Sequence, residues 1–115
     1  MKEGNVIVAK SYAFALGIMR LCKSIRDERE YDLASQLWRA GTSIGANVEE
    51  AQAAQSRADF RSKMSIAAKE ARESHYWLRL TRDGKVIAES EVTLLIDDIM
   101  EIKKILTSIV KSSSD

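Results

Sequence analysis

LASQLWRAGTSIGANVEEAQAA occupies positions Leu33 to Ala54, and its periodicity decides the fold. Leu33, Leu37, Ala40, Ile44 and Val48 step by four, three, four and four, so they share one face of a 3.6-residue helix. Arg39, Ser43, Asn47 and Glu50 run beside them as a polar seam of the same handedness. Gly41 and Gly45 lie four apart and strip side chains from part of a third face. A glycine inside a helix costs roughly 1 kcal/mol relative to alanine, so two of them point to close approach of another chain segment. Neither is accompanied by proline or an Asn-Gly turn signal, and a continuous helix over about 31–54 is expected.

The flanking sequence repeats this helical pattern. Ser11, Phe14, Ile18, Leu21 and Ile25 form one stripe, and Val8, Tyr12, Ala15, Met19 and Cys22 a second, predicting a wide-faced helix over about 6–27. The charged run Arg26-Asp27-Glu28-Arg29-Glu30 then makes a corner. Ser56 with Asp59 three residues later approximates a capping box and starts a helix over about 57–82. Its core stripe is Phe60, Met64, Ala67, Ala71, Ser74 and Leu78, and Asp83-Gly84 is a turn signal. Val92, Leu95, Ile99, Ile102, Leu106 and Ile109 give a coiled-coil-like seam for a helix over about 90–111, widened by Ile96, Ile105 and Val110. A polar tail, Lys111 to Asp115, follows.

The chain has 115 residues and no proline, enough for one core and unsuited to a many-turned fold. The expected architecture is therefore all-α: a single-domain antiparallel bundle of four helices, up-down-up-down, over residues 1–115. Apolar faces wider than one seam leave surface for another subunit, which favours an oligomer. The N-terminal apolar run, Val6 to Ala9, is too short for a secretory signal, and Tyr12 to Met19 falls far short of a membrane span. A cytoplasmic protein without membrane attachment is expected.

The chemistry-bearing residues are few. His75 is the only histidine, and Glu70 and Glu73 are spaced wrongly for the Glu-x-x-His pairs of di-iron bundles. Cys22 sits among Ile18, Leu21 and Ile25 and reads as a buried apolar residue. No nucleophile and base pair, phosphate loop or dinucleotide fingerprint is present, so neither catalysis nor a cofactor is expected. A helix-turn-helix over RAGTSIGANVEEA fails because both halves keep one helical period.

Two constellations remain. Arg57, Arg61, Arg72 and Arg79 fall along one edge of the third helix, with Lys69, Tyr76 and Trp77 nearby to add charge or stacking for a nucleic acid. The competing assignment pairs these cations with Asp97, Asp98 and Glu101 of the fourth helix or with a neighbouring subunit. Arg39, Ser43, Asn47 and Glu50, joined by Glu70 and Glu73, are expected to form a buried network that fixes register, the alternative being ligand contact. Net charge is +1, so any polyanion binding must come from local charge.

The same helix carries a family pattern. Gln36, Arg39, Ala40, Ser43, Ile44, Asn47 and Glu50, with Val48 in an isoleucine place, resemble the Gln-x-x-Arg-Ala-x-x-Ser-Ile-x-x-Asn-Ile-x-Glu run of the small bundle proteins encoded in intervening sequences of bacterial 23S ribosomal RNA genes. The likeness continues through Asp59-Phe60 and the run from Ile66 to Leu78, from Lys10-Ser11 to the last helix; Ala51 stands where many members have glycine. The resemblance implies a four-helix bundle assembled as a homopentamer in a bacterial cytoplasm. Accessory variability proteins of diversity-generating retroelements share the fold; they are strongly basic and associate with a reverse transcriptase and nucleic acid, and the net charge here argues against membership in that branch. The leading expectation is a non-enzymatic oligomeric bundle associated with RNA through the third helix. The rival is a protein-binding adaptor docking a larger enzyme such as a reverse transcriptase.

Overall fold

The structure is a computed structural model; it describes residues 2–113, with side chains from position 6 onward. Four helices account for nearly all of it: α1 (Lys2–Asp27), α2 (Tyr31–Gln52), α3 (Arg57–Asp83) and α4 (Glu89–Ser112). Among the described residues there is no strand. Each helix packs on two others, in the cyclic order α1, α2, α3, α4 and back to α1, and the molecule measures 45 × 20 × 19 Å.

The stripes read from the sequence form the centre. Phe14, Ile18 and Ile25 of α1, Leu37, Ile44 and Val48 of α2, Met64 and Leu78 of α3, and Ile99, Ile102 and Leu106 of α4 are all buried. The second α1 stripe is only partly used. Cys22 is buried, Val8, Ala15 and Met19 are half-buried, and Tyr12 is exposed. Buried hydroxyls are satisfied within their own helices: Ser11 donates to the Val8 carbonyl (3.2 Å), Ser74 to Glu70 (2.8 Å) and Thr81 to Trp77 (2.8 Å). Among the described residues no buried side-chain nitrogen or oxygen lacks a partner, so the core holds no polar centre awaiting a ligand.

α2 runs unbroken through both glycines, and their neighbours explain them. A Cβ on Gly41 would lie 2.7 Å from Ile18 Cγ1 and 2.8 Å from Cγ2, and one on Gly45 would lie 3.4 Å from the Ser11 carbonyl oxygen. Farther along the same seam the Cys22 thiol donates to the Ala34 carbonyl (3.4 Å). Gly41 thus lets α1 settle against α2 more closely than a methyl group allows, while a methyl group at Gly45 would meet Ser11 at ordinary contact distance.

The helix ends differ from expectation in instructive ways. α1 begins at Lys2, four residues earlier than its apolar stripe. α2 stops at Gln52 because Ala53 and Ala54 turn back on Glu50 and Ala51 through short-range bonds before the α3 cap. The turns after α1 and α3 each place a non-glycine residue in the left-handed region, Arg29 (φ 64°) and Lys85 (φ 56°). Each is followed by a closing bond to the carbonyl five residues back, Glu30 to Ile25 and Val86 to Thr81. Gly84 itself is right-handed (φ −77°), so helix geometry persists through Asp83 and the reversal falls one residue later than the Asp-Gly signal. α4 extends one residue past each expected end, with acidic Glu89 and Glu91 in its first turn, where the helix dipole favours them. Of the predicted polar tail, Ser114 and Asp115 lie outside the described residues.

The α3 cap forms as read. Ser56 Oγ accepts the Asp59 N–H at 3.0 Å, while the Asp59 carboxylate accepts the Gln55 N–H (3.3 Å) and the Lys63 ammonium (2.8 Å). Replacing Ser56 with alanine is expected to destabilise the fold by about 1 kcal/mol, the usual worth of an N-cap. For a chain of this size that is a drop of roughly 4 °C in thermal midpoint. An unchanged melt would show that the cap is dispensable. Lys63 and the Gln55 amide hold Asp59 below the usual carboxylate range. Its contribution is therefore present above the ordinary carboxylate value and fades as pH falls through the depressed one.

Candidate basic groove

Helical geometry divides the α3 cations. Arg61 and Arg72 line a concavity between α3 and α4, together with Ser65, Ala68, Thr107, Val110 and Lys111. Lys69 is exposed and lies roughly 60–80° around the helix from both arginines, on the outward face. Arg57 is exposed in the first turn of α3. Farther along the α3/α4 seam, Lys103 Nζ approaches His75 Nδ1 at 3.1 Å. Arg79 stacks over the Tyr76 ring (5.9 Å to its centroid), and Arg82 pairs with Asp83 (2.8 Å).

No described carboxylate lies within ion-pair distance of Arg61, Lys69, Arg72, Arg79 or Lys111. Two of the acidic residues expected to neutralise the arginines, Asp98 and Glu101, face elsewhere. Glu101 pairs with Lys10 of α1 (2.9 Å), and Asp98 lines a separate α1/α4 concavity with Arg20, Glu91, Gly17 and Leu94. Burial, reinforced by Glu101, raises the Asp98 carboxyl, with Lys10 opposing. The α3/α4 side is thus basic and the α1/α4 side mixed, although the whole chain is nearly neutral. Sequence reasoning missed Lys103 and Lys111. They flank the Ile96 and Val110 side of the α4 seam, and which flank meets α3 depends on the hand of the bundle.

The field of this edge is felt by His75. Burial lowers its affinity for a proton, and Lys103, Arg79 and Arg82 lower it further. With the Lys103 ammonium donating, Nδ1 accepts and the neutral ring carries its proton on Nε2.

The α2 polar seam is brought only partly together. Arg39 Nη1 donates to both Glu70 oxygens (3.2 and 3.4 Å), and Nη2 bonds Glu73, which also accepts from Trp77 Nε1 (3.4 Å). Ser43 donates back to the Arg39 carbonyl (2.5 Å) and Asn47 to the Ser43 carbonyl (2.9 Å). Glu50 is exposed. The expectation of a buried network is corrected: the Arg39 side chain is 49% exposed and that of Glu70 13%, so the cluster clips α2 to α3 at the surface. Its position on α2, nearly opposite Leu37, carries Arg39 outward.

Both tryptophans serve packing, while Tyr12, Tyr31 and Tyr76 are exposed. Trp38 and Trp77 lean half-buried on the core, Arg26 covers Trp38 (5.1 Å), and Tyr76 meets Trp77 edge to face (5.1 Å, 69°). The Cys22 thiol is pushed up to about 11 by burial, against the opposing pull of Arg26, which withdraws it from thiolate chemistry. Among the described residues no three His, Cys, Asp or Glu side chains are placed to hold a metal ion. No described helix is long and apolar enough to cross a membrane.

Fold and charge together define a class: a small four-helix bundle whose polar chemistry lies on its outside. The chain belongs to the family of 23S rRNA-intervening sequence proteins, whose model matches residues 3–108. It is similar to the crystal structure of a protein of unknown function from the S23 ribosomal protein family of Bacteroides thetaiotaomicron VPI-5482. The two are 44% identical over 95% of this chain and 98% of that one, with a TM-score of 0.89. No curated protein matches at a significant level.

Proposed function

We propose that this protein is a non-enzymatic, self-associating bundle of the bacterial cytoplasm that binds RNA along the α3/α4 groove. The observation that carries the proposal is the set of exposed cations without carboxylate partners, Arg61 and Arg72 of α3 and Lys111 of α4, around one concavity. A surface of one sign beside low-dielectric walls concentrates counter-charge, and a phosphate backbone supplies the repeated negative charge that such a row of cations would bind. The hydroxyls of Ser65 and Thr107 in the same groove add neutral donors for phosphate oxygens. The pairings Gly45 with Ser11 and Gly41 with Ile18 run α1 against α2, and Lys10 with Glu101 and Gly17 with Leu95 run α1 against α4, as an up-down-up-down course requires. A homopentamer would repeat the groove around a ring and multiply a modest affinity.

Affinity for a labelled structured RNA at two salt concentrations tests the proposal. Three phosphate contacts predict a loss of roughly 20–40-fold between 50 and 200 mM salt. Salt-independent binding, or none at micromolar protein, removes it. A second reading, an adaptor for a larger protein partner, is favoured by Leu94, 72% exposed and lining the α1/α4 concavity.

A further inference from the structure

We infer that RNA binding in the α3/α4 groove is coupled to uptake of one proton at His75 Nδ1, which breaks the Lys103 contact and frees that ammonium for phosphate. The inference rests on the RNA reading above. Its geometric basis is the placement of an imidazole nitrogen 3.1 Å from an ammonium on the same helix pair that forms the basic concavity.

Nδ1 can accept from Lys103 only while the ring is neutral, because protonated imidazole and ammonium are both donors. The charged groups acting on the ring are Lys103 from α4 and Arg79 and Arg82 from α3. All three are cations. Without RNA they favour the neutral ring, which accepts from the Lys103 ammonium. A phosphate backbone along the groove cancels part of that field, so the ring takes a proton. Two donors then face the ligand, the Nδ1–H and the released Lys103, in place of one internal hydrogen bond.

The sign follows from linkage. The free-state affinity of His75 for a proton is depressed below that of an ordinary histidine, and bound phosphate raises it. Between those two values affinity for RNA rises as pH falls, and below the lower one it levels off. His75 is the sole histidine, and the Cys22 thiol, held up to about 11, stays protonated throughout. Phosphodiesters keep their single charge from pH 6 to 8, so the backbone contributes no proton of its own.

The experiment measures RNA affinity at pH 6 and pH 8, at fixed ionic strength, for the wild-type chain and His75→Gln. Glutamine keeps an acceptor for Lys103 but does not titrate. Wild-type binding is expected to be up to several-fold tighter at pH 6 than at pH 8; raising the histidine midpoint by about one pH unit strengthens binding by about tenfold at most, a ceiling reached only below the free-state midpoint. His75→Gln is expected to bind equally at both. NMR titration of the wild-type imidazole with and without RNA supplies a readout that does not depend on the variant folding; the midpoint should move up when RNA is bound. Salt-sensitive binding that is equal at both pH values, an unmoved midpoint, or a pH dependence that survives in His75→Gln overturns the coupling and leaves the RNA reading standing. Absence of salt-sensitive binding at either pH overturns both.

Discussion

Gly41→Leu is expected to lower stability by about 3 kcal/mol, the upper part of the usual range for overpacking. For a chain of this length that is a fall of roughly 10 °C in thermal midpoint. Helix propensity alone predicts the opposite, since leaving glycine gains up to about 1 kcal/mol in a helix interior. Sterics decide the sign. The new Cβ would meet Ile18 at Cγ1 (2.7 Å), Cγ2 (2.8 Å) and Cβ (3.2 Å). Those atoms are the stem of a β-branched side chain with one strongly preferred helical rotamer, so the ring of contacts cannot swing aside. Either α1 moves off α2 or Ile18, fully buried, leaves its place in the core. Gly45→Ala is the matching control. Its Cβ would sit at 3.4 Å from the Ser11 carbonyl, close to ordinary contact, so the gain in propensity survives and the midpoint should hold or rise slightly. Circular-dichroism melts at matched protein concentration separate the two. A Gly41→Leu melt within a degree or two of wild type would sink the close-packing account of this helix pair.

The contrast between these glycines marks how far sequence carries. Their spacing on α2 announced close approach, because glycine in an uninterrupted helical period has a cost that something must offset. It did not say which glycine faced a side-chain stem and which a carbonyl. The helices were legible for the same reason: burial of a continuous face imposes period 3.6 on Val92 through Ile109, and Ser56 with Asp59 spells a local cap. The left-handed Arg29 and Lys85 were not, since no glycine marks either position and the surrounding contacts impose the strain. The site was legible on one side only. Arg61 and Arg72 could be placed on one edge of α3 from their separation, but the partner edge of α4 could not. Asp98 and Glu101 on one flank and Lys103 and Lys111 on the other satisfy the same apolar seam equally well. Packing of α4 between α1 and α3 sends the acids to α1 and the lysines to the arginines. Arg39 shows the converse failure. The sequence seam set it beside the apolar stripe, whereas its place nearly opposite Leu37 carries the long side chain to Glu70 and Glu73 at the surface.

Arg61→Glu combined with Arg72→Glu should cost the largest share of RNA affinity of any pair of changes on this surface. Each phosphate contact contributes about one decade at 50 mM salt, so losing two removes roughly a hundredfold before repulsion is counted. The dependence of log affinity on log salt should flatten by about 1.5 in slope. Lys69→Glu is the comparison that locates the contact. Lys69 shares the helix and the charge but lies outside the concavity, so its reversal should act only through the general field and cost roughly threefold or less. Neither arginine has a described carboxylate partner, so the double reversal breaks no ion pair within the chain, and the thermal midpoint and gel-filtration mass should stay as they are. Loss of affinity together with a smaller particle would instead assign these arginines to the contact between subunits. Equal losses from Lys69→Glu and from the arginine pair would reduce the groove to diffuse attraction. Full affinity in the double variant would exclude the α3/α4 concavity as the place where RNA is held.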